Sequence, residues 1–197
     1  MHPDPLLCVG ITAALGEHGG IDVFKDGVDE RRQDPPIDVV VSDLQDALRL
    51  AAPGQRALQR LDGARVVALT SHGREADIRG AIEAGVHGYL LLGGPLSELV
   101  EGVTAAARGQ RYLGLTVAQR MADSLTRTAL TSRETEVLRL VAAGESNKTI
   151  ARSLDIELGT VKSHVGAIMS KLGANSRTHA AAIALARGLA NDFAPIA

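Results

Sequence analysis

Between Thr160 and Lys171 the chain sets small, polar and basic residues at spacings that suit the edges of base pairs. Val161, Val165, Ile168 and Leu172 recur four, three and four residues apart, which gives them one buried face of a helix expected over residues 160–172. Lys162, Ser163, Gly166 and Ser170 then point the other way. A helix with a small, polar and partly basic outer face can enter a major groove without steric conflict. Lys162 can donate to guanine O6 and N7 or to a phosphate, and Ser163 can pair with almost any base edge. His164 and Lys171 lie on the flanks, where phosphates would run. Thr160, at the positive end of the helix, can offer its hydroxyl and its backbone N–H to a phosphate oxygen. Gly166 breaks a local rule, since a mid-helix Gly costs about 1 kcal/mol relative to Ala. Two readings of it stand level: close approach of the helix backbone to DNA, or a small residue where helices pack closely. A lone surface Lys is far more often solvated than a base reader, so the argument needs the surrounding scaffold.

Four helices supply that scaffold. Thr131 followed three residues later by Glu134 is a capping box, which predicts a helix from there to Ala143 ahead of Gly144. Ser146 can cap a short second helix over 147–154, and residues 155–159 read as a tight turn. Gly173 stops the third helix, and a fourth is expected over 176–189.

The literal residues carry a resemblance. Leu130-Thr131, Arg133-Glu134, Glu136-Val137-Leu138, Gly144, Ser146-Asn147-Lys148, Ile150-Ala151, Thr160-Val161-Lys162, His164-Val165, Ile168, Lys171-Leu172 and Arg177 closely resemble the DNA-binding domain of LuxR/NarL-type transcription regulators. The resemblance implies that the third helix is the recognition helix, with base contacts from Lys162, Ser163 and Gly166 and dimerisation through the last helix. The implied partner is double-stranded DNA, as an inverted-repeat operator bound by a homodimer. Glu157 departs from the Ser or Thr cap usual in the family; it suits the helix dipole but is a weaker cap. Gly166 stands where a longer polar side chain is common, so fewer base contacts are expected there.

Composition narrows the rest. Apolar residues make up 45% of the 197, enough to build cores, while aromatics are only 2% with no Trp, which argues against a carbohydrate cleft or a base-stacking platform. The single Cys8 excludes an internal disulfide and a cysteine zinc cluster. The six His residues show no metal-ligand spacing, so no metal and no cofactor are expected. No long apolar run or leader pattern is present, and a cytoplasmic protein without membrane attachment is expected. The net charge of −2 hides a split: residues 1–127 hold 13 Lys and Arg against 17 Asp and Glu, whereas residues 128–190 hold 8 against 5. A mildly basic C-terminal part beside an acidic N-terminal part fits nucleic-acid binding by the former.

Ahead of residue 113, apolar strand-like runs alternate with helical patterns, as in an α/β domain with a parallel sheet. Helices are expected over 5–18, 46–61 (interrupted near Pro53-Gly54), 74–84 and 95–108. Strands are expected over 21–25, 37–42, 64–70 and 86–92, and a linker helix over 116–125. The order resembles the receiver domain of the same regulators. That resemblance places Asp43 at the phosphoacceptor position and Thr70 and Tyr89 at the switch positions. Two chemical parts are missing. His2 and Pro3 stand where the Mg²⁺-binding acidic pair should be, with Asp4 one step off, and Leu92 stands in place of the conserved Lys. The first strand is absent too, which would make the 21–25 and 37–42 strands pair directly or leave an edge open; only residues 27–33 remain for the helix between them. Asp43 is therefore read as a helix-capping residue rather than a working phosphoacceptor.

The sequence thus predicts two domains. Residues 1–113 form a doubly wound, parallel-sheet, receiver-like domain lacking its first strand, 114–129 a linker helix and linker, and 130–197 an all-α, four-helix LuxR-type helix-turn-helix domain. The expected function is sequence-specific transcription regulation, not catalysis, with the receiver-like domain governed by oligomerisation, a small ligand or a protein partner. The alternatives are a conventional response regulator phosphorylated at Asp43, and an adaptor that binds protein instead of DNA.

Overall fold

The computed structural model describes residues 4–24, 36–52, 61 and 63–190. The chain forms two compact units, which divide between Met121 and Ala122.

The first unit is a parallel sheet covered on both faces. Its described strands are β1 (Val39–Ser42), β2 (Arg65–Thr70), β3 (Gly88–Leu91) and β4 (Tyr112–Leu113), hydrogen-bonded in that order and all parallel. Its helices are α1 (Pro5–Gly16), α2 (Leu44–Ala51), α3 (Glu75–Glu83), α4 (Leu96–Ala107) and the first turns of α5 (Leu115–Leu125). Side chains alternate along a strand with period two, and the cores follow that alternation. Val66, Ala68 and Tyr89 pack with Leu44, Ala47, Ile78, Ala81 and Val117 on one face. Val67, Leu69 and Leu90 pack with Leu15, Leu99, Val100, Val103 and Ala106 on the other. A strand buried on both faces reads as a continuous apolar run, which is what residues 66–69 are.

Local chemistry sets the element ends. Asp4 caps α1, its Oδ1 accepting from the N–H groups of Leu6 and Leu7. Asp43 caps α2, its Oδ1 accepting from Asp46 N–H at 2.8 Å. Because Asp43 serves as the cap, α2 begins at Leu44, two residues ahead of the expected start. Val117 is fully buried, and Arg120 donates to the Gly73 carbonyl, so the early turns of α5 are part of the first unit's packing.

Two expectations need correction in this unit. Residues 21–24 form no strand; Ile21 and Val23 are half-buried apolar residues against the α1/α4 face of the sheet. Their alternating pattern reflects burial, and β1 ends the described sheet with its outer edge left without a described strand. No strand is expected at Tyr112 and Leu113, yet they pair with Gly88 and Tyr89 as β4. Lys25, His2, Pro3, the expected 27–33 helix and the Pro53-Gly54 break lie outside the described residues.

The second unit is all α: α6 (Ser132–Ala142), α7 (Asn147–Ser153), α8 (Leu158–Leu172) and α9 (Arg177–Arg187). Val137, Leu138, Val141, Ile150, Val161, Ile168, Leu172, Ala180 and Ala184 form its core. The capping box is complete: Thr131 Oγ1 accepts from Glu134 N–H, and Glu134 Oε2 accepts from Thr131 N–H at 2.7 Å. The turn before α8 is shorter than expected, since Leu158 and Gly159 are already helical. Asp155 makes that turn possible by adopting a left-handed φ of 51°, a conformation Asp tolerates better than most residues.

Asp43→Ala is expected to cost the fold about 1 kcal/mol by removing the α2 cap, and Asp43→Asn close to nothing. Urea unfolding of the two variants checks this; equal losses would mean that the cap is not what Asp43 contributes.

Candidate nucleic-acid interface

α8 carries the predicted contact residues on its outer face. Thr160, Lys162, Ser163, Gly166 and Ser170 are all exposed, while Val161, Ile168 and Leu172 are buried against the other helices. Ser163 Oγ donates back to the Gly159 carbonyl at 3.2 Å, which holds the hydroxyl close to the helix surface. A Cβ built on Gly166 or on Gly159 would meet nothing within 4 Å. The packing reading of Gly166 is thereby removed: no neighbouring helix requires a small residue there. The two glycines, seven residues apart, both lack a side chain on the exposed surface of α8.

The flanking residues differ from that face. His164 and Lys171 are half-buried. Lys171 Nζ lies 2.6 Å from Glu134 Oε2, with 24% and 7% of the two side chains exposed. This pair joins the recognition-type helix to the capping box of α6. Glu134 is held below its ordinary value of 4.5, first by the Lys171 hydrogen bond and then by the Thr131 backbone N–H, against the opposing pull of burial.

Two arginines that the sequence marked only as family matches turn out to brace the scaffold. Arg133 donates to the Leu154 carbonyl at 2.7 Å and to Glu136 at 2.6 Å, tying α6 to the end of α7. Arg177 donates to Asn147 Oδ1 at 2.7 Å and to the Glu145 carbonyl, tying α9 to the start of α7. Lys148 and Arg152 were given no role from sequence; both are exposed and, four residues apart, share one face of α7.

In the first unit, Asp43 and Thr70 follow and end neighbouring parallel strands at their C-terminal edge. Thr70 is buried, and its Oγ1 lies 3.1 Å from His72 Nδ1 while accepting from His72 N–H. Tyr89 is buried with its hydroxyl donating to the His72 carbonyl at 2.6 Å. Desolvation, helped by Asp77 and opposed by Arg120, keeps that phenol protonated well above its ordinary value. Leu92 continues β3, its N–H donating to the Thr70 carbonyl, and its side chain joins an apolar wall. Mg²⁺ needs several oxygen ligands in near-octahedral geometry. Among the described residues no three His, Cys, Asp or Glu side chains gather in a way that could hold a metal ion. Asp4 and Asp43 each accept backbone N–H bonds through Oδ1 as helix caps.

Comparison with known proteins agrees with this division. Residues 128–184 match the family described as bacterial regulatory proteins, luxR family. The transcriptional regulatory protein DesR of Bacillus subtilis is 34% identical over 163 residues, covering 79% of this chain and 76% of that one. The response regulator protein VraR of Staphylococcus saprophyticus is 29% identical over 192 residues, covering 92% of each. A Salmonella typhimurium RcsB response regulator structure, described for its conformational dynamism in DNA interaction, aligns with a TM-score of 0.63. It is 20% identical and covers 91% of this chain and 93% of that one. No helix among the described residues is long and apolar enough to cross a membrane.

The lowered Glu134 carboxyl links stability to pH. Its contribution is fully present above 4.5 and is lost as pH falls through its folded value. Wild type is therefore expected to lose stability more steeply than Glu134→Gln on acidification below that point. Parallel urea-stability curves for the two proteins would sink this assignment. Separately, Gly166→Ala is expected to raise the stability of the helical unit by about 1 kcal/mol, as thermal or urea unfolding would show.

Proposed function

The chain belongs to the luxR family of bacterial transcription regulators, and we propose that it acts as a sequence-specific DNA-binding homodimer whose receiver-like unit does not work by ordinary phosphorylation. The observation that carries the DNA reading is the outer face of α8, where exposed Lys162, Ser163, Gly166 and Ser170 lie on a helix whose other face is locked in the core. Lys162 and Ser163 are assigned to base edges in the major groove. Thr160, at the start of the helix, is assigned to a phosphate, with Lys148 and Arg152 of α7 as further phosphate contacts. His164 is a flank contact. Lys171, committed to Glu134, acts by holding α8 in place more than by reaching DNA. The proposed division is 1–113 for the receiver-like domain, 114–129 for the linker and 130–197 for the DNA-binding domain.

Two arguments support a homodimer on an inverted repeat. The DNA-binding part carries only a small positive excess, and the affinity of a single copy rests largely on the phosphates it neutralises. Two linked copies on adjacent half-sites multiply that affinity without new contacts. The phosphorylation-independent reading is supported by Leu92 in place of the lysine, and by the lack, among the described residues, of carboxylates gathered to hold a metal ion.

Selection of bound sequences from a random duplex pool, with full-length protein and no phosphodonor, tests the whole reading. Recovery of an inverted repeat is expected, and Lys162→Ala should then bind the selected site about 1–3 kcal/mol more weakly. An unchanged Kd for Lys162→Ala would remove it from the base-reading set. A pool that yields sequence preference only after phosphodonor treatment would restore phosphorylation at Asp43.

A further inference from the structure

The first unit holds a cavity of about 430 Å³ between α1, the C-terminal ends of β2 and β3, and the start of α4. Leu7 and Ile11 of α1, Leu69 of β2, Leu90 of β3 and Leu92 just after it line the space with hydrocarbon. Ligands of parallel α/β sheets bind at this end of the strands, and the volume suits a small molecule. Gly10 and Ala14, one turn apart on α1, belong to the same wall, and a Cβ on Gly10 would meet nothing within 4 Å. A larger residue at Gly10 would narrow the space and favour the helix as well, yet the position is left open.

The charges in the lining decide what kind of guest fits. Among the described lining residues the ionisable side chains are Asp4 and Glu98, and each is committed to helix ends. Asp4 Oδ1 accepts from Leu6 and Leu7 N–H at the start of α1. Glu98 lies in the first turn of α4, whose cap residue Pro95 supplies no side-chain bond. Its Oε1 also accepts at 3.0 Å from the N–H of Leu115, the first residue of α5. Its Oε2 is seated against Gly94 and Gly114, where added Cβ atoms would lie 3.2 and 2.8 Å from it. A helix N-terminus carries roughly half a positive unit charge, so the single Glu98 carboxylate offsets those of α4 and α5 together. An ion of either sign entering this space would shed its hydration and find no uncommitted counter-charge among the described lining residues. A hydrocarbon guest gives up no such hydration and gains from burial. We propose that the cavity is a binding site for an uncharged, hydrocarbon-rich small molecule. This gives the non-phosphoryl input of the receiver-like unit a chemical class and rests on that reading for its regulatory meaning, whereas the binding itself is measured without DNA.

The probes n-octanol, octanoate and octylammonium share one chain and carry no charge, a negative charge and a positive charge at neutral pH. The full chain is titrated with each by calorimetry, and methyl NMR locates the guest. Saturable one-to-one binding of n-octanol is expected, shifting the methyl signals of Leu7, Ile11, Leu69 and Leu92, with both ions about tenfold weaker or worse. Gly10→Phe should fill the cavity and abolish n-octanol binding, and Ala14→Leu should weaken it, in proteins whose thermal unfolding stays as cooperative as that of wild type. Heat that never saturates, or methyl shifts confined to other parts of the chain, would overturn the proposal. So would an ion that binds as tightly as the alcohol, or wild-type affinity in either folded variant. None of these readouts involves DNA, so this reading and that of the α8 face fail separately.

Discussion

The geometry of α8 depends on one carboxylate. Glu134 Oε2 accepts at once from the Thr131 backbone, which starts α6, and from Lys171, which sits in the last turn of α8. Packing of Val161, Ile168 and Leu172 sets which face of α8 is buried, but apolar contacts are non-directional and tolerate small slides along a groove. A half-buried ion pair is directional. It repays its desolvation only in good geometry, so it penalises a shifted register far more than it stabilises the correct one. Arg133 and Arg177 also hold α7: Arg133 donates to the Leu154 carbonyl at its C-terminal end, and Arg177 to the Glu145 carbonyl just ahead of its start. The scaffold is held by charges that bond inward. The charge left pointing outward from α8 is essentially Lys162.

This division of labour explains which parts of the fold could be read from the chain. The helical unit was almost wholly legible because its signals are local: a capping box, a Ser cap, a Gly stop and apolar residues at helical spacing. The start of α8 was placed two residues late, because Glu157 accepts no side-chain cap bond and the turn is made by Asp155 in a left-handed conformation. Neither feature has a strong sequence signature. The inward commitment of Lys171 was not legible at all, since its partner lies 37 positions away in sequence.

The sheet was harder for the same reason. Strand pairing is non-local, so the apolar run at 66–69 announces burial on both faces but not its neighbours. Residues 21–24 carry the alternation of a strand and are half-buried without being one. Tyr112 and Leu113 carry no such alternation and do pair. Asp43 shows the limit from the functional side. A strand-ending aspartate is equally a phosphoacceptor and a helix cap in sequence, and its bond to Asp46 N–H establishes the cap without deciding the chemistry.

A regulatory role for the first unit must meet an energetic condition. A guest in a cavity shifts an equilibrium only by the difference in its affinity for two states, and a tenfold change in DNA affinity needs about 1.4 kcal/mol of such difference. An apolar cavity can supply it cheaply: roughly 25 cal/mol per Å² of buried apolar surface means that about 56 Å² exposed in one state and covered in the other is enough. A receiver working by acyl phosphate draws the same order of energy from charge, which needs a metal and a lysine held in fixed geometry. Leu92, where the receiver resemblance expects a lysine, packs with the apolar residues on one face of the sheet and carries no charge.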